Sequence, residues 1–306
     1  MNRRFTKVVS GVVLCVAVLA VISTAGAHSG RPHAVSAAIT DWTPVGQAIG
    51  VEGKLQPGDV YRISLPRTDL HVMVGRVRVK AGFALGTHLE FMTTTSGAMM
   101  MGDLVLTENE IEPVMLKLEQ GGIDVTAIHN HLLGEKPRIM YRHVMGSGDP
   151  VKLAQAVKAA LVLSKTPLHA TAPKASDSIV ALDKAGMDAA IGVAGKVDGG
   201  LYKYSIAPKY EIKEMGTVVP AAMGTSTAIT FQPLGAGHAA VTGDFALLAQ
   251  QVNPVIRALR SNGITVTALH SHMLGEDPTV FFMHFYATGD GVTLARGLRA
   301  ALDAMG

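Results

Sequence analysis

Six of the twelve histidines of this chain stand in two copies of one setting. Val125 to Glu135 (VTAIHNHLLGE) reappears as Val266 to Glu276 (VTALHSHMLGE), and His143 reappears as His284 at the same spacing of 141 residues. The candidate ligand sets are therefore His129, His131 and His143, and again His270, His272 and His284. Neutral imidazole is the commonest metal ligand, and three imidazoles with a free fourth position suit zinc, iron, manganese or copper. Glu135 and Glu276, four residues past each His-x-His pair, are candidates for a closing ligand or a general base that handles protons for a metal-bound water. The competing reading is structural: histidines that donate hydrogen bonds in a core or toward the other copy.

Position decides between these readings. Residues two apart on a strand share a face, so His129 and His131 point the same way. His143 falls on the returning strand of the same hairpin. Pairing that sums to 272 sets His143 opposite His129 and converges all three rings, whereas an odd sum or an intervening bulge turns His143 away.

The surrounding pattern supplies the elements. Val60 to Leu65, Val72 to Val79, His88 to Met92 and Met99 to Leu106 read as strands bounded by turn formers. Thr107 to Glu110 is a capping-box sequence that opens a helix closed by Gly121 and Gly122. Strands follow over Asp124 to His131 and Arg138 to Met145. Asp149 then caps a second helix with Pro150 in its first turn. The class is α+β: two tandem homologous domains, each a mostly antiparallel sheet with two helices, related by a pseudo-twofold axis. Further matches at the same spacing, Gly102-Asp103 with Gly243-Asp244, Pro113 with Pro254 and Gly148-Asp149 with Gly289-Asp290, extend the repeat. The expected boundaries are 1–27 for an export signal, 38–165 for the first domain, 166–177 for a linker rich in Pro, Ala, Ser and Lys, and 178–306 for the second domain.

Other polar features read more plainly. Gly102-Asp103 and its twin mark a strand bend rather than ligands. His88 and Glu90, replaced by Ala228 and Thr230 in the second copy, read as a solvated strand face. The methionines, Met99 to Met101 above all, read as core filler.

Composition narrows the function classes. Arg3, Arg4 and Lys7 precede an uncharged apolar run and then Ala25-Gly26-Ala27, the pattern of a signal peptide cut near Ala27. Leu14 before Cys15 does not make a lipobox, so no stable membrane anchor is expected. Without those three cations the formal charge of +3 falls to zero, which removes the case for nucleic acid. The single cysteine lies in the signal, so disulfides and thiolate metal sites are excluded from the mature chain. No nucleotide-binding loop is present: Gly53-Lys54 and Gly195-Lys196 lack the required spacing. The expectation is a periplasmic or secreted protein acting on a small molecule or a cell-wall glycan.

Together the Gly-Asp-Leu-Val-Leu run at 102–106, Pro113, the His-Asn-His block at 129–131, Pro137, His143 and Gly148-Asp149, with their repeats, resemble the LppY/LpqO family of bacterial envelope proteins. The resemblance covers nearly all of the mature chain. It implies an exported bacterial protein whose domain has no known function, and a peptidoglycan-binding label is attached to some members. The alternative function is accordingly a non-catalytic envelope module that binds peptidoglycan or another glycan.

Overall fold

The computed structural model describes residues 41–169 and 182–306. The export signal expected at 1–27 lies outside the described residues, as does the linker from residue 170 onward.

The first copy runs α1 (Thr43–Ile49), β1 (Lys54–Gln56), β2 (Val60–Pro66), β3 (Met73–Val74), β4 (Val77–Arg78), α2 (Ala81–Ala84), β5 (Gly86–Thr94), β6 (Gly97–Thr107), α3 (Glu108–Gln120), β7 (Asp124–His129), β8 (Glu135–Lys136), β9 (Ile139–Gly148) and α4 (Pro150–Leu161). The second copy repeats it: α5 (Lys184–Ile191), β10 (Lys196–Asp198), β11 (Leu201–Ile206), β12 (Lys213–Glu214), β13 (Thr217–Val218), β14 (Thr227–Gly235), β15 (His238–Leu248), α6 (Ala249–Ser261), β16 (Thr265–His270), β17 (Glu276–Asp277), β18 (Val280–Asp290) and α7 (Gly291–Asp303). Each copy builds an antiparallel sheet of six strands, β1-β2-β5-β6-β9-β7 and β10-β11-β14-β15-β18-β16, with a three-stranded ribbon beside it.

The helix ends follow the sequence signals. Glu110 accepts the Thr107 N–H at 2.9 Å, and Asp149 accepts the N–H groups of Val151 and Lys152 with Pro150 in the first turn. Two expectations need correction. The strand expected over 72–79 is a tight hairpin of β3 and β4, because Gly75 adopts a left-handed φ of 55° and reverses the chain. A further helix, α1, packs on α4, and its equivalent α5 packs on α7.

Each sheet is covered on both faces. Leu89, Phe91, Leu104, Leu106 and Val144 face the helices of the first copy, with the matching residues of the second copy facing its own helices. The opposite faces meet between the copies. Met99, Met101 and Met145 pack there with Met273, Val280 and Phe282, while Val105, Ile139 and Tyr141 pack with Leu201 and Ala240. The result is four layers, helices on sheet on sheet on helices, which explains why β6 is buried from Ala98 to Leu106 instead of alternating. The methionines fill this apolar layer, as their unbranched chains suit an irregular gap between two sheets.

Candidate metal centre at the repeat interface

The register of the β7–β9 hairpin places the histidines, and it differs from the simple expectation. Asp124 and Val125 pair with Met145 and Val144, then a bulge at Thr126 shifts the ladder so that Ala127, Ile128 and His129 pair with His143, Arg142 and Tyr141. The bulge does not turn His143 away. It converts an odd register into an even one, and His143 joins the face of His129, displaced by two paired positions from the place opposite it. The second copy repeats this at Thr267, with Ala268 opposite His284 and His270 opposite Phe282.

The same bulge joins the copies. Thr126 is freed from its ladder, and its hydroxyl donates to the carbonyl of His272 at 2.5 Å. Reciprocally the Thr267 hydroxyl donates to the carbonyl of His131 at 2.7 Å. Asn130 adds its amide to the Thr267 carbonyl at 3.0 Å. These exchanged bonds place the two His-x-His segments across a local twofold axis.

The six imidazoles form one cluster rather than two separate sites. His129 and His270 stack at 3.6 Å between ring centroids. On either side a histidine of one copy meets one of the other: His131 with His284 at 3.9 Å and His143 with His272 at 3.8 Å. One triad whose donor atoms lie within 4.8 Å of one another is His129, His131 and His284, and it draws on both copies. His131 lies just beyond the end of β7, where the chain leaves the sheet and leans over the partner copy.

The tautomers suit cation binding. Nδ1 of His270 faces the Ser271 carbonyl at 3.0 Å and Nδ1 of His284 faces the Gly243 carbonyl at 2.9 Å. An imidazole that donates through Nδ1 turns the lone pair of Nε2 outward. The Nε2 atoms of His129, His143, His270, His272 and His284 are buried without a hydrogen-bond partner. Burial holds all six rings below the ordinary imidazole pKa, and neighbouring histidines add to the effect for His129, His131, His143 and His272. They are neutral, the form that ligates a metal.

Two carboxylates complete the cluster. Asp103 stands opposite His143 on the β6–β9 ladder, and Asp244 stands opposite His284 on β15–β18. Asp103 Oδ2 lies 3.5 Å from His131 Nε2, and Asp244 Oδ2 lies 3.2 Å from His272 Nε2. Asp244 also forms a convergent triad with His270 and His284. Burial raises both carboxyl pKa values, that of Asp103 well above the usual range because Asp244 and Glu90 repel its charge. The Gly-Asp pair is thus no strand bend. Asp103 aims into the centre, and Gly102 lets β5 close over it, since a Cβ at that position would sit 2.7 Å from Leu89 Cδ2 and 2.8 Å from the His88 carbonyl. Gly102→Ala is expected to cost about 1–3 kcal/mol by overpacking, read from urea unfolding. A cost below about 0.5 kcal/mol would show that the strands have room to part.

His88 and Glu90 are likewise not a solvated face. Glu90 is buried, holds His88 Nδ1 at 2.8 Å and pairs with Arg62 at 3.2 Å, and His88 lies close enough to depress His143 and His272. Glu135 and Glu276 are turned back on their own hairpins, accepting the N–H groups of Ile139 at 3.4 Å and Val280 at 3.3 Å. The carboxylates at the centre are the aspartates. The repeat itself carried this signal, because Gly-Asp recurs at the same spacing as the histidines.

Residues 43–163 and 185–304 each match the family model described as Domain of Unknown Function (DUF1259). The chain belongs to this family. It carries two tandem DUF1259 domains, and the histidine centre lies between them. Nothing matches among curated proteins. The similar solved structures include the trimeric bacterial microcompartment shell protein PduB, at 14% identity and a TM-score of 0.21 over 83% of this chain and 90% of that one. They also include EtuB from Clostridium kluyveri, at 12% identity and a TM-score of 0.20 over 82% and 88%. Superpositions that poor carry no argument about the DUF1259 domains.

Proposed function

We propose that this protein binds two divalent transition-metal ions in one centre shared by its DUF1259 domains, and that it does so as an exported envelope protein of the LppY/LpqO type. One ion takes His129, His131 and His284; the other takes His270, His272 and His143. The observation that carries this reading is the convergence of the buried Nε2 atoms of His129, His143, His270 and His284, which have no hydrogen-bond partner and would each cost a desolvation penalty of about 1–3 kcal/mol if nothing ever bound them.

Two ions fit the donors better than one. Six imidazoles and two carboxylates exceed the coordination of a single ion, and an ion on the axis between His129 and His270 would leave His131 and His272 unused. The triad of His129, His131 and His284 and its counterpart by the repeat, His270, His272 and His143, use every histidine once. A set of nitrogen and carboxylate donors without sulfur suits zinc, iron, manganese or copper. A metal bound there supplies Lewis-acid activation of a coordinated water or substrate oxygen.

A glycan-binding module is less well supported, because Trp42, the only tryptophan, is buried against Tyr61 instead of offering a sugar-stacking face. Export rests on the basic start, the apolar run and Ala25-Gly26-Ala27. No helix among the described residues is long and apolar enough to cross a membrane.

Elemental analysis after reconstitution with zinc or copper tests the centre. Two equivalents per chain are expected, with stabilisation by about 2.7 kcal/mol at a hundredfold excess over Kd. His131→Ala and His284→Ala should each remove the same one equivalent, and together still only one. His131→Ala with His143→Ala should remove both. Substoichiometric metal with an unchanged Tm would overturn the proposal.

A further inference from the structure

The two halves of the centre are not equivalent, and the difference lies in one side chain. Across the first sheet His88, Asp103, His143 and Ala127 form a row of paired positions on β5, β6, β9 and β7. Across the second sheet the row is Ala228, Asp244, His284 and Ala268. His88, tied to Glu90 and through it to Arg62, stands opposite Asp103, which in turn stands opposite His143. Ala228 and Thr230 stand in the places of His88 and Glu90 and build no such chain.

The exposures follow that substitution. Ala228 is exposed although it faces the layer between the sheets. The side chain of Asp244 is 14% exposed against 5% for Asp103, and that of His131 is 18% exposed against 7% for His272. The opening is thus confined to His131 and Asp244: His284, at 4% against 8% for His143, and His129, at 6%, stay enclosed.

We propose that the gap at Ala228 is the entrance to the centre and that a small anion binds there, on the His131–His284 half, while His88 keeps the other half closed. This rests on the metal reading given above. The size follows from the gap, which is the room of one missing imidazole and admits no polymer. The charge follows from the donors: neutral imidazoles leave two divalent ions facing at most two carboxylates, so the pair keeps a net positive charge that an incoming anion offsets. The closed half then holds its ion by protein ligands alone, and the open half keeps the exchangeable position.

Azide added to the cobalt-loaded protein tests the anion, read from the visible absorption of the metal. Saturable binding at one azide per chain is expected. Ala228→His, which restores the imidazole of the first copy, should weaken it roughly tenfold or more with cobalt content unchanged. Ala228→Leu fills the same gap without a donor and guards against misfolding of the first variant.

The entrance has a readout that needs no metal. In the metal-free protein, diethyl pyrocarbonate should modify His131 roughly tenfold faster than His272 at pH 7.5, as mapped by mass spectrometry, and Ala228→Leu should remove the difference. Equal labelling of His131 and His272, with full cobalt uptake, would overturn the entrance and leave the metal centre standing. Azide binding unaffected by both substitutions would do the same. No cobalt uptake would overturn the metal reading and the anion with it, whatever the labelling gave.

Discussion

Acidifying the metal-free protein from pH 7.5 to pH 5.5 is expected to lower its Tm by about 10 °C, and bound metal is expected to raise the Tm at both pH values without removing that drop. All six cluster histidines have pKa values held below the ordinary imidazole value, by burial first. In the unfolded chain they titrate near 6.5. Below that pH the unfolded state takes up protons that the folded cluster refuses, so stability falls as pH falls. Each such proton steepens the dependence by about 1.4 kcal/mol per pH unit, and a few of them acting together reach the stated shift for a chain of this size. Asp103 and Asp244 act with the opposite sign, because their raised pKa values make the folded state hold protons longer; their contribution is lost as pH rises through those values. The histidines outnumber them. Differential scanning calorimetry of the metal-free protein and of a variant with His129, His131 and His143 replaced by Gln checks the attribution. A parent curve as flat as the variant's between pH 7.5 and 5.5 would remove the histidines as its cause.

Replacing Arg67 by Met is expected to cost about 3–5 kcal/mol, the largest single effect on stability away from the centre. Arg67 is fully buried, and its guanidinium bonds both oxygens of Glu110 at 2.9 and 3.2 Å, both oxygens of Asp69 at 2.9 Å and the Val105 carbonyl at 2.6 Å. Glu110 also accepts the N–H groups of Thr107 and Lys165, so one carboxylate ties the start of α3 to β2 and to the chain after α4. Burial opposes the charge of Glu110, and the hydrogen bonds from Arg67, Thr107 and Lys165, with the Arg67 charge, together outweigh it and keep the carboxyl below its usual pKa. Removing only the arginine strands that charge. The second copy shows the neutral solution: Gln251 accepts the Leu248 N–H at 2.7 Å and donates to the Met305 carbonyl at 2.6 Å. Arg67→Met combined with Glu110→Gln should therefore recover much of the loss. Urea unfolding of the single and double variants measures the coupling. Additive costs would mean that the two side chains contribute independently.

Much of this architecture was legible in one dimension. Alternating apolar residues, the turn formers and the two caps marked most of the long strands and α3 and α4, because those signals are local and each is satisfied within a few residues. The helix α1 was missed because seven residues with buried Val45 and Ile49 show little periodicity until α4 lies against them. The strand expected over 72–79 failed for a similarly local reason, since one glycine with positive φ outweighs the strand formers around it.

The histidines divide along the same line. Their identity and their duplication came from sequence, whereas the strand face expected to be shared by His129 and His131 was not what placed His131, because β7 ends at His129. Nor did their allocation to ions come from sequence. Which strand pairs with which, where the bulge falls, and which faces meet are settled by burial between residues more than a hundred positions apart. No spacing shows that Thr126 and Thr267 clasp opposite copies, that His131 belongs with His284, or that the twice-repeated aspartates and not the glutamates reach the centre. Sequence alone determined that two copies each carry three imidazoles; tertiary structure decided that the six form one centre, because the sheet faces that carry them are apolar around the rings and bury themselves only against each other.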